Sequence, residues 1–290
     1  MRKALIPIAI PLGLVVGAAL AAPSLMRRMF AVPQRAMPET TPQEMGLDGE
    51  EVWIEGPNQK RLHAWFIPGA EKAPAVVVLH GWGGTAADML PIAPGLNGIG
   101  LHALFLDART HGLSDEEDFM SMPRFAEDLE TAVEWLGARD DVTTIGVIGH
   151  SVGAAASILV ASRNANVDAV VSVASFADPE ELMWRAIPYP APIKWTLLRV
   201  IRQMIGVSYD DIAPRNRIGD VEVPVLLIHG EADEVVPVED AFSLRDHQPD
   251  CTLIVVPGGN HSDLDAYEPY FGDVDEFLHS SLMAAQPLNR

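Results

Sequence analysis

The chain has 290 residues, 48% of them hydrophobic, and a formal net charge of −20. That is enough apolar material for one large cored domain or two small ones. Residues 1–38 hold five basic and no acidic side chains, so the remainder sets 15 basic against 40 acidic residues, a net −25. Such a body repels phosphate backbones and argues against a nucleic-acid partner. A single cysteine, Cys251, excludes an internal disulfide and a cysteine-based metal cluster, and no Cys/His spacing suggests zinc. Cys251 stands where a predicted strand opens, the place of a core residue.

Residues 4–26 carry no charge, with Arg2 and Lys3 before them and Arg27 and Arg28 after. A membrane span needs ~20 apolar residues, which this run supplies. Ala19-Leu20-Ala21 also fits a signal-peptide cleavage site, which would release the body as a secreted or periplasmic protein. The length, the basic flanks and the tolerated Pro7 and Pro11 favour a single-pass N-terminal membrane anchor over residues 1–30. Residues 31–48, with Pro33, Pro38 and Pro42, read as a linker to a body at 49–290.

In that body, runs at 51–54 and 62–67 flank Gly56-Pro57-Asn58-Gln59 and predict a hairpin. The β-branched run at 75–79 fits a strand covered on both faces, as in a parallel sheet. A strand follows at 101–107, then a helix at 125–136, where apolar residues fall at 125, 129, 132, 133 and 136. Further strands are predicted at 144–148, 168–174, 223–229 and 252–256. Helices are predicted at 154–161, at about 238–246 and at about 267–283. Alternating strands and helices imply a mostly parallel sheet with right-handed crossovers and an antiparallel edge.

The strand at 144–148 runs into Gly149-His150-Ser151-Val152-Gly153 and then a small-residue helix. This is a strand, a sharp turn and a helix with a serine lifted out of the sheet: a nucleophile elbow. A Cβ at Gly149 or Gly153 would crowd the strand against the helix. The serine needs a base, and the base needs an acid to hold its tautomer. Around this elbow the chain order is serine, acid, histidine. Asp233 follows the strand at 223–229 in Gly230-Glu231-Ala232-Asp233 and is the first choice of acid, with Glu231 in reserve. Beyond it lie only His247, His261 and His279. His247 ends a helix and His279 lies on the last one. His261 follows the last strand and a Gly258-Gly259-Asn260 loop able to fold it over Ser151. His80-Gly81-Trp82-Gly83-Gly84 follows the strand at 75–79, so the expected oxyanion donors are the backbone amides of Trp82 and Val152.

These motifs together resemble the α/β-hydrolase superfamily, most closely its bacterial serine hydrolases of the esterase and serine-aminopeptidase-like branch. The resemblance covers nearly all of the body. It includes Asp107-Ala108-Arg109-Thr110-His111-Gly112-Leu113-Ser114, similar to that family's Asp-x-Arg-Gly-His-Gly-x-Ser loop. Thr110 replaces the pattern's glycine, which bears on local backbone rather than chemistry. The loop's usual role is structural, so Asp107 and His111 stay outside the site. The resemblance implies an α/β-hydrolase fold and a catalytic triad of Ser151, Asp233 and His261. It further implies acyl transfer from a carboxylic ester, with a peptidase or thioesterase as alternatives, and no cofactor or metal. A non-catalytic binding protein on the same fold is a further alternative. Such proteins lose a triad member, and here each has a candidate.

Residues 176–219 are too long for an ordinary connection and lie where the superfamily inserts a cap. Within 193–205, Ile193, Leu197, Val200, Ile201, Met204 and Ile205 form one apolar face, with Trp195, Arg199, Arg202 and Gln203 largely opposite. This reads as a lid helix over the pocket. A basic helix touching anionic lipid is the second reading. An apolar lining favours a small-molecule or lipid-like ester with uncharged acyl or alkyl groups.

Overall fold

The computed structural model describes residues 35–285. The expected membrane segment lies outside them. Among the described residues, no helix is long and apolar enough to cross a membrane.

Eight strands form one sheet: β1 (Glu50–Glu55), β2 (Arg61–Ile67), β3 (Ala73–Leu79), β4 (His102–Leu106), β5 (Val142–His150), β6 (Ala169–Val173), β7 (Val225–Gly230) and β8 (Thr252–Val256). Their order is β1-β2-β4-β3-β5-β6-β7-β8. The β1–β2 and β2–β4 pairs are antiparallel, and every other pair is parallel. All seven residues of β3 are buried, as a strand covered on both faces requires. This is the α/β-hydrolase fold expected from the sequence.

Helices cover the two faces. On one lie α1 (Met122–Gly137), α2 (Val152–Ala161) and α3 (Glu239–His247). Phe125, Leu129, Val133 and Leu136 of α1 pack with Val77, Leu79 and Val147 of the sheet in one core. On the other face, α4 (Phe271–Ala284) sets Val274, Leu278 and Leu282 against Val76, Val78, Ile148 and Val171. Strand alternation assigns consecutive residues to opposite cores, Val147 to the first and Ile148 to the second.

Two elements differ from the sequence reading. A helical stretch, Ala86–Ile92 continued by Ala93–Gly98, joins β3 to β4. Its Pro91, Pro94 and Gly95 read as loop, yet Thr85 and Asp88 close a capping box at its start. The last helix begins at Phe271 rather than near 267, because Pro269 lies in a separate short turn before it. Two residues of the expected linker rest on the body. The Arg35 guanidinium donates to the carbonyls of Gly112 and Ser114, and Pro42 is buried.

Chain direction reverses at β3, which sends the chain outward to β4 and has β5 on its other side. In open α/β sheets the crevice at such a reversal, beyond the strands' carboxyl ends, is where ligands bind. The segments at 80–84 and 149–153 leave β3 and β5 at this crevice.

Between β6 and β7 stand the helices Pro179–Ala186, Ala191–Ile205, Tyr209–Ile212 and Pro214–Arg217. Asp178 caps the first through the Glu180 and Glu181 amides, and Arg185 ties it to Asp240 of α3 at 3.1 Å. The second buries Leu198 and Ile201. Ile193, expected on the inner face, is 46% exposed, and Trp195 is 61% exposed. The inward stripe is centred on Leu198 and Ile201, so Ile193, two turns earlier, falls outside it.

Candidate active site

Ser151 occupies the turn between β5 and α2 with φ +54° and ψ −117°, a strained conformation for a residue with a side chain. The flanking glycines explain why the turn is feasible. A Cβ at Gly149 would come within 2.2 Å of the Gly153 carbonyl oxygen, and one at Gly153 within 2.6 Å of the Leu79 and His80 carbonyl oxygens. Real contacts of that kind do not occur, so β5, α2 and the end of β3 approach this closely only as glycines allow.

Ser151, His261 and Asp233 come from three separate loops and form one hydrogen-bonded line. Asp233 Oδ2 accepts from His261 Nδ1 at 2.7 Å, and His261 Nε2 lies 3.0 Å from Ser151 Oγ. With Nδ1 protonated toward the carboxylate, Nε2 of a neutral imidazole accepts the serine proton. The Asp233 side chain is fully buried, and that of His261 is 13% exposed. Burial opposes ionisation of Asp233. Hydrogen bonds from His229, His261 and the Val236 amide outweigh it and hold the carboxyl well below the usual carboxylate range. Asp233 Oδ1 also accepts from the amides of Val235 and Val236, each at 2.8 Å. Glu231, the reserve acid, is exposed and accepts from the Gly258 amide instead.

Trp82 sits at the centre of a turn closed by Gly84 N–H donating to Gly81 C=O, with Gly83 at φ +76°. A type II turn requires that positive φ at its third residue, where glycine carries no penalty. Val152 opens α2, and first-turn amides have no acceptor within their own helix. Both residues line the cavity beside Ser151.

The histidine between Gly149 and Ser151 has a role that the motif alone does not reveal. His150 Nε2 donates to the backbone carbonyl of His261 at 2.8 Å, and the two rings lie 5.1 Å apart. Asn260 Oδ1 accepts from the His261 amide at 2.7 Å. His229, one residue before Gly230, donates from Nε2 to the Val236 carbonyl and lies 3.4 Å from Asp233 Oδ2. These side chains orient the loops that bear the acid and the base.

The segment after β4 braces the floor of the site. Asp107 accepts from His63 Nδ1, from the Ala86 amide and from the Leu113 amide at 2.7–2.9 Å. His80 Nδ1 donates to the Gly81 carbonyl, and its Nε2 accepts from the Ala108 amide. That pairing defines a neutral imidazole, and burial pushes the His80 pKa down. Asp107 and His111 thus lie beneath the Gly81–Gly84 turn and away from the reacting line. Thr110 adopts φ +67°, the left-handed backbone for which the glycine of the similar pattern is suited. Its Oγ1 accepts from the Glu117 amide at 2.9 Å, a bond glycine would not make.

Ser151 and His261 open into a cavity of about 1180 Å³. Its lining is dominated by apolar side chains, among them Met122, Phe176, Leu182, Met183 and Ile212. Among the described residues, no group of three or more His, Cys, Asp or Glu is placed to hold a metal ion.

Residues 70–216 match the family described as serine aminopeptidase, S33. The chain belongs to this family of α/β-hydrolases. An uncharacterized protein of Mycobacterium tuberculosis is 30% identical over 246 residues, spanning 83% of this chain and 82% of its own. The α/β-hydrolase domain-containing protein WAV2 of Arabidopsis thaliana is 25% identical over 257 residues, spanning 82% and 81%. Among solved structures, an esterase of Pyrococcus furiosus shares the fold with a TM-score of 0.71 at 23% identity, over 86% of this chain and 97% of its own. A bacterial membrane phospholipase A does so with a TM-score of 0.63 at 18% identity, over 94% and 96%. As a member of this family, the chain is a hydrolase.

Proposed function

We propose that the chain hydrolyses carboxylic esters through an acyl-enzyme. The carrying observation is the line from Asp233 through His261 to Ser151, closed by bonds of 2.7 and 3.0 Å at the mouth of an apolar cavity. Ser151 Oγ attacks the ester carbonyl while His261 takes its proton. The oxyanion forms against the Val152 and Trp82 amides. His261 then returns the proton to the departing alcohol, and water deacylates the serine by the same route. Asp233 stays ionised throughout and holds the imidazole with Nε2 toward the serine. Similarity to esterases and the apolar lining both favour an uncharged, lipid-like ester. The reading is tested by turnover of p-nitrophenyl esters by wild type and Ser151→Ala. Retention of wild-type turnover in the mutant would sink it.

The family's description favours one second reading, an aminopeptidase using the same triad. Such an enzyme needs a carboxylate for the substrate's free amino group, and Glu39 and Asp88 line the cavity. Asp88 already accepts from the Thr85 amide at 2.8 Å, which leaves Glu39. Faster turnover of aminoacyl p-nitroanilides than of esters, lost in Glu39→Gln, would favour this reading.

We further propose that residues 1–30 anchor the body to a membrane as a single span. The charge-free run at 4–26 and its basic flanks support this. Release of the full chain from membranes by alkaline carbonate would overturn it.

A further inference from the structure

The cavity beside Ser151 serves both faces of the sheet. One lobe lies under the helices that follow β6 and is lined by Phe176, Leu182, Met183, Ile205, Tyr209 and Ile212. The other lies on the α4 face, lined by Ile148, Val171, Ile228, Tyr267, Phe271 and Val274. Strand alternation places these three strand residues there. Their neighbours Val147, Val170 and Leu227 enter the first core, and Ile148, Val171 and Ile228 enter the second. Ile148 pairs with Val171 across adjacent parallel strands, and Ile228 pairs with Val173, which also lines the cavity. His150, Ser151 and His261 line the same cavity, so the reacting line opens into the space that both sets of side chains bound.

Size and polarity bear on what fits. At about 1180 Å³ the cavity exceeds the ~300–1,000 Å³ of ordinary small-molecule sites. In the α4-side lobe, Tyr267 is buried with its Oη beside Gly230.

Resting on the ester-hydrolase reading above, we infer that the preferred substrate carries an extended apolar chain on each side of the scissile carbonyl. One lobe takes the acyl chain and the other the alcohol chain. An ester with a single long chain fills one lobe and leaves the other to water. Because burying a methylene is worth about fourfold in affinity at most, each filled lobe has ample room to raise kcat/KM by tenfold or more.

The test uses the full chain and four esters: ethyl butanoate, ethyl octanoate, octyl butanoate and octyl octanoate, each below its aggregation limit. Octyl octanoate is expected to exceed both single-chain esters in kcat/KM by about tenfold or more, a gain of two or more buried methylenes. Val274→Trp fills the α4-side lobe and Met183→Trp the other. Each should cut the long-to-short preference about tenfold on one side of the ester only, and on opposite sides. Val171→Phe fills the α4-side lobe from the sheet and replaces Val274→Trp if that variant loses its melting transition. Turnover of ethyl butanoate with no gain from one of the two chains overturns the two-lobe inference alone. So does a Val274→Trp variant with unaltered chain preference. No turnover of any ester, with no phosphonate labelling of Ser151, overturns the hydrolase reading and this inference with it.

Discussion

His150 Nε2 donates to the backbone carbonyl of His261 at 2.8 Å, joining the residue beside the serine to the residue that would deprotonate it across 111 positions of sequence. The base is therefore held twice, by Asp233 on its ring and by His150 on its backbone. Strand β5 carries His150 and sets both the serine and the height of the imidazole above it.

His150→Ala should lower kcat about 10- to 100-fold with KM within about threefold, because a misplaced base costs rate rather than binding. His150→Gln, whose amide still donates, should recover part of the loss. Steady-state kinetics on one short ester check this. An equal loss in both variants would assign His150 to packing rather than positioning.

Asp233→Asn should reduce kcat about 10³- to 10⁴-fold by favouring the wrong imidazole tautomer. It should also destabilise the fold. The wild-type carboxyl is depressed in the folded state, so its contribution is fully present above the unfolded value of about 3.9 and is lost as pH falls further. The melting-temperature gap between wild type and Asp233→Asn should therefore hold steady from pH 7 to about 5 and narrow below about 4. A gap that widened in acid would contradict the assignment.

Buried histidines set a second acid limit. Burial, with His80 4.9 Å away, lowers His111 to about 3, and burial also lowers His80 and His150. Unfolded histidine protonates near about 6.5, so below that pH the unfolded chain binds more protons and stability falls. The slope approaches about 1.4 kcal/mol per pH unit for each such histidine. Wild type should lose melting temperature between pH 6.5 and 5, before carboxylates titrate. His111→Phe should flatten that slope, as differential scanning calorimetry would show.

Two glycine classes should part sharply. Gly149→Ala and Gly153→Ala place a methyl against backbone and should cost about 3 kcal/mol or more, as overpacking does at its upper range. Gly272→Ala, in the first turn of α4 with nothing within 4 Å, should stabilise by up to about 1 kcal/mol. Denaturant titration reads both.

The sheet was legible because its strands are β-branched runs punctuated by Gly and Pro, and because Phe125, Leu129, Val133 and Leu136 keep a helical period. The stretch at 86–98 was not, since Pro91, Pro94 and Gly95 mask a helix whose one sequence signal is Thr85 with Asp88. Ser151, Asp233 and His261 can be picked out because each follows its own strand and because chain order narrows the choices. The roles of His150 and His229 lie in contacts to backbone carbonyls, and carbonyls carry no residue identity for a sequence pattern to read. Ile193 lies outside the buried stripe for a different reason. An apolar stripe wider than the available partner surface leaves its end exposed. The lobe between the sheet and α4 depends on register across three strands and a helix beyond them, none of which any one segment encodes.

The most direct test is the initial rate of p-nitrophenyl butyrate hydrolysis by the folded full chain and by Ser151→Ala. Wild type is expected to show saturable turnover and the mutant a loss of about 10³-fold or more, the scale on which removing a triad nucleophile acts. Comparable rates from the two proteins would contradict it, because the nucleophile would then lie elsewhere.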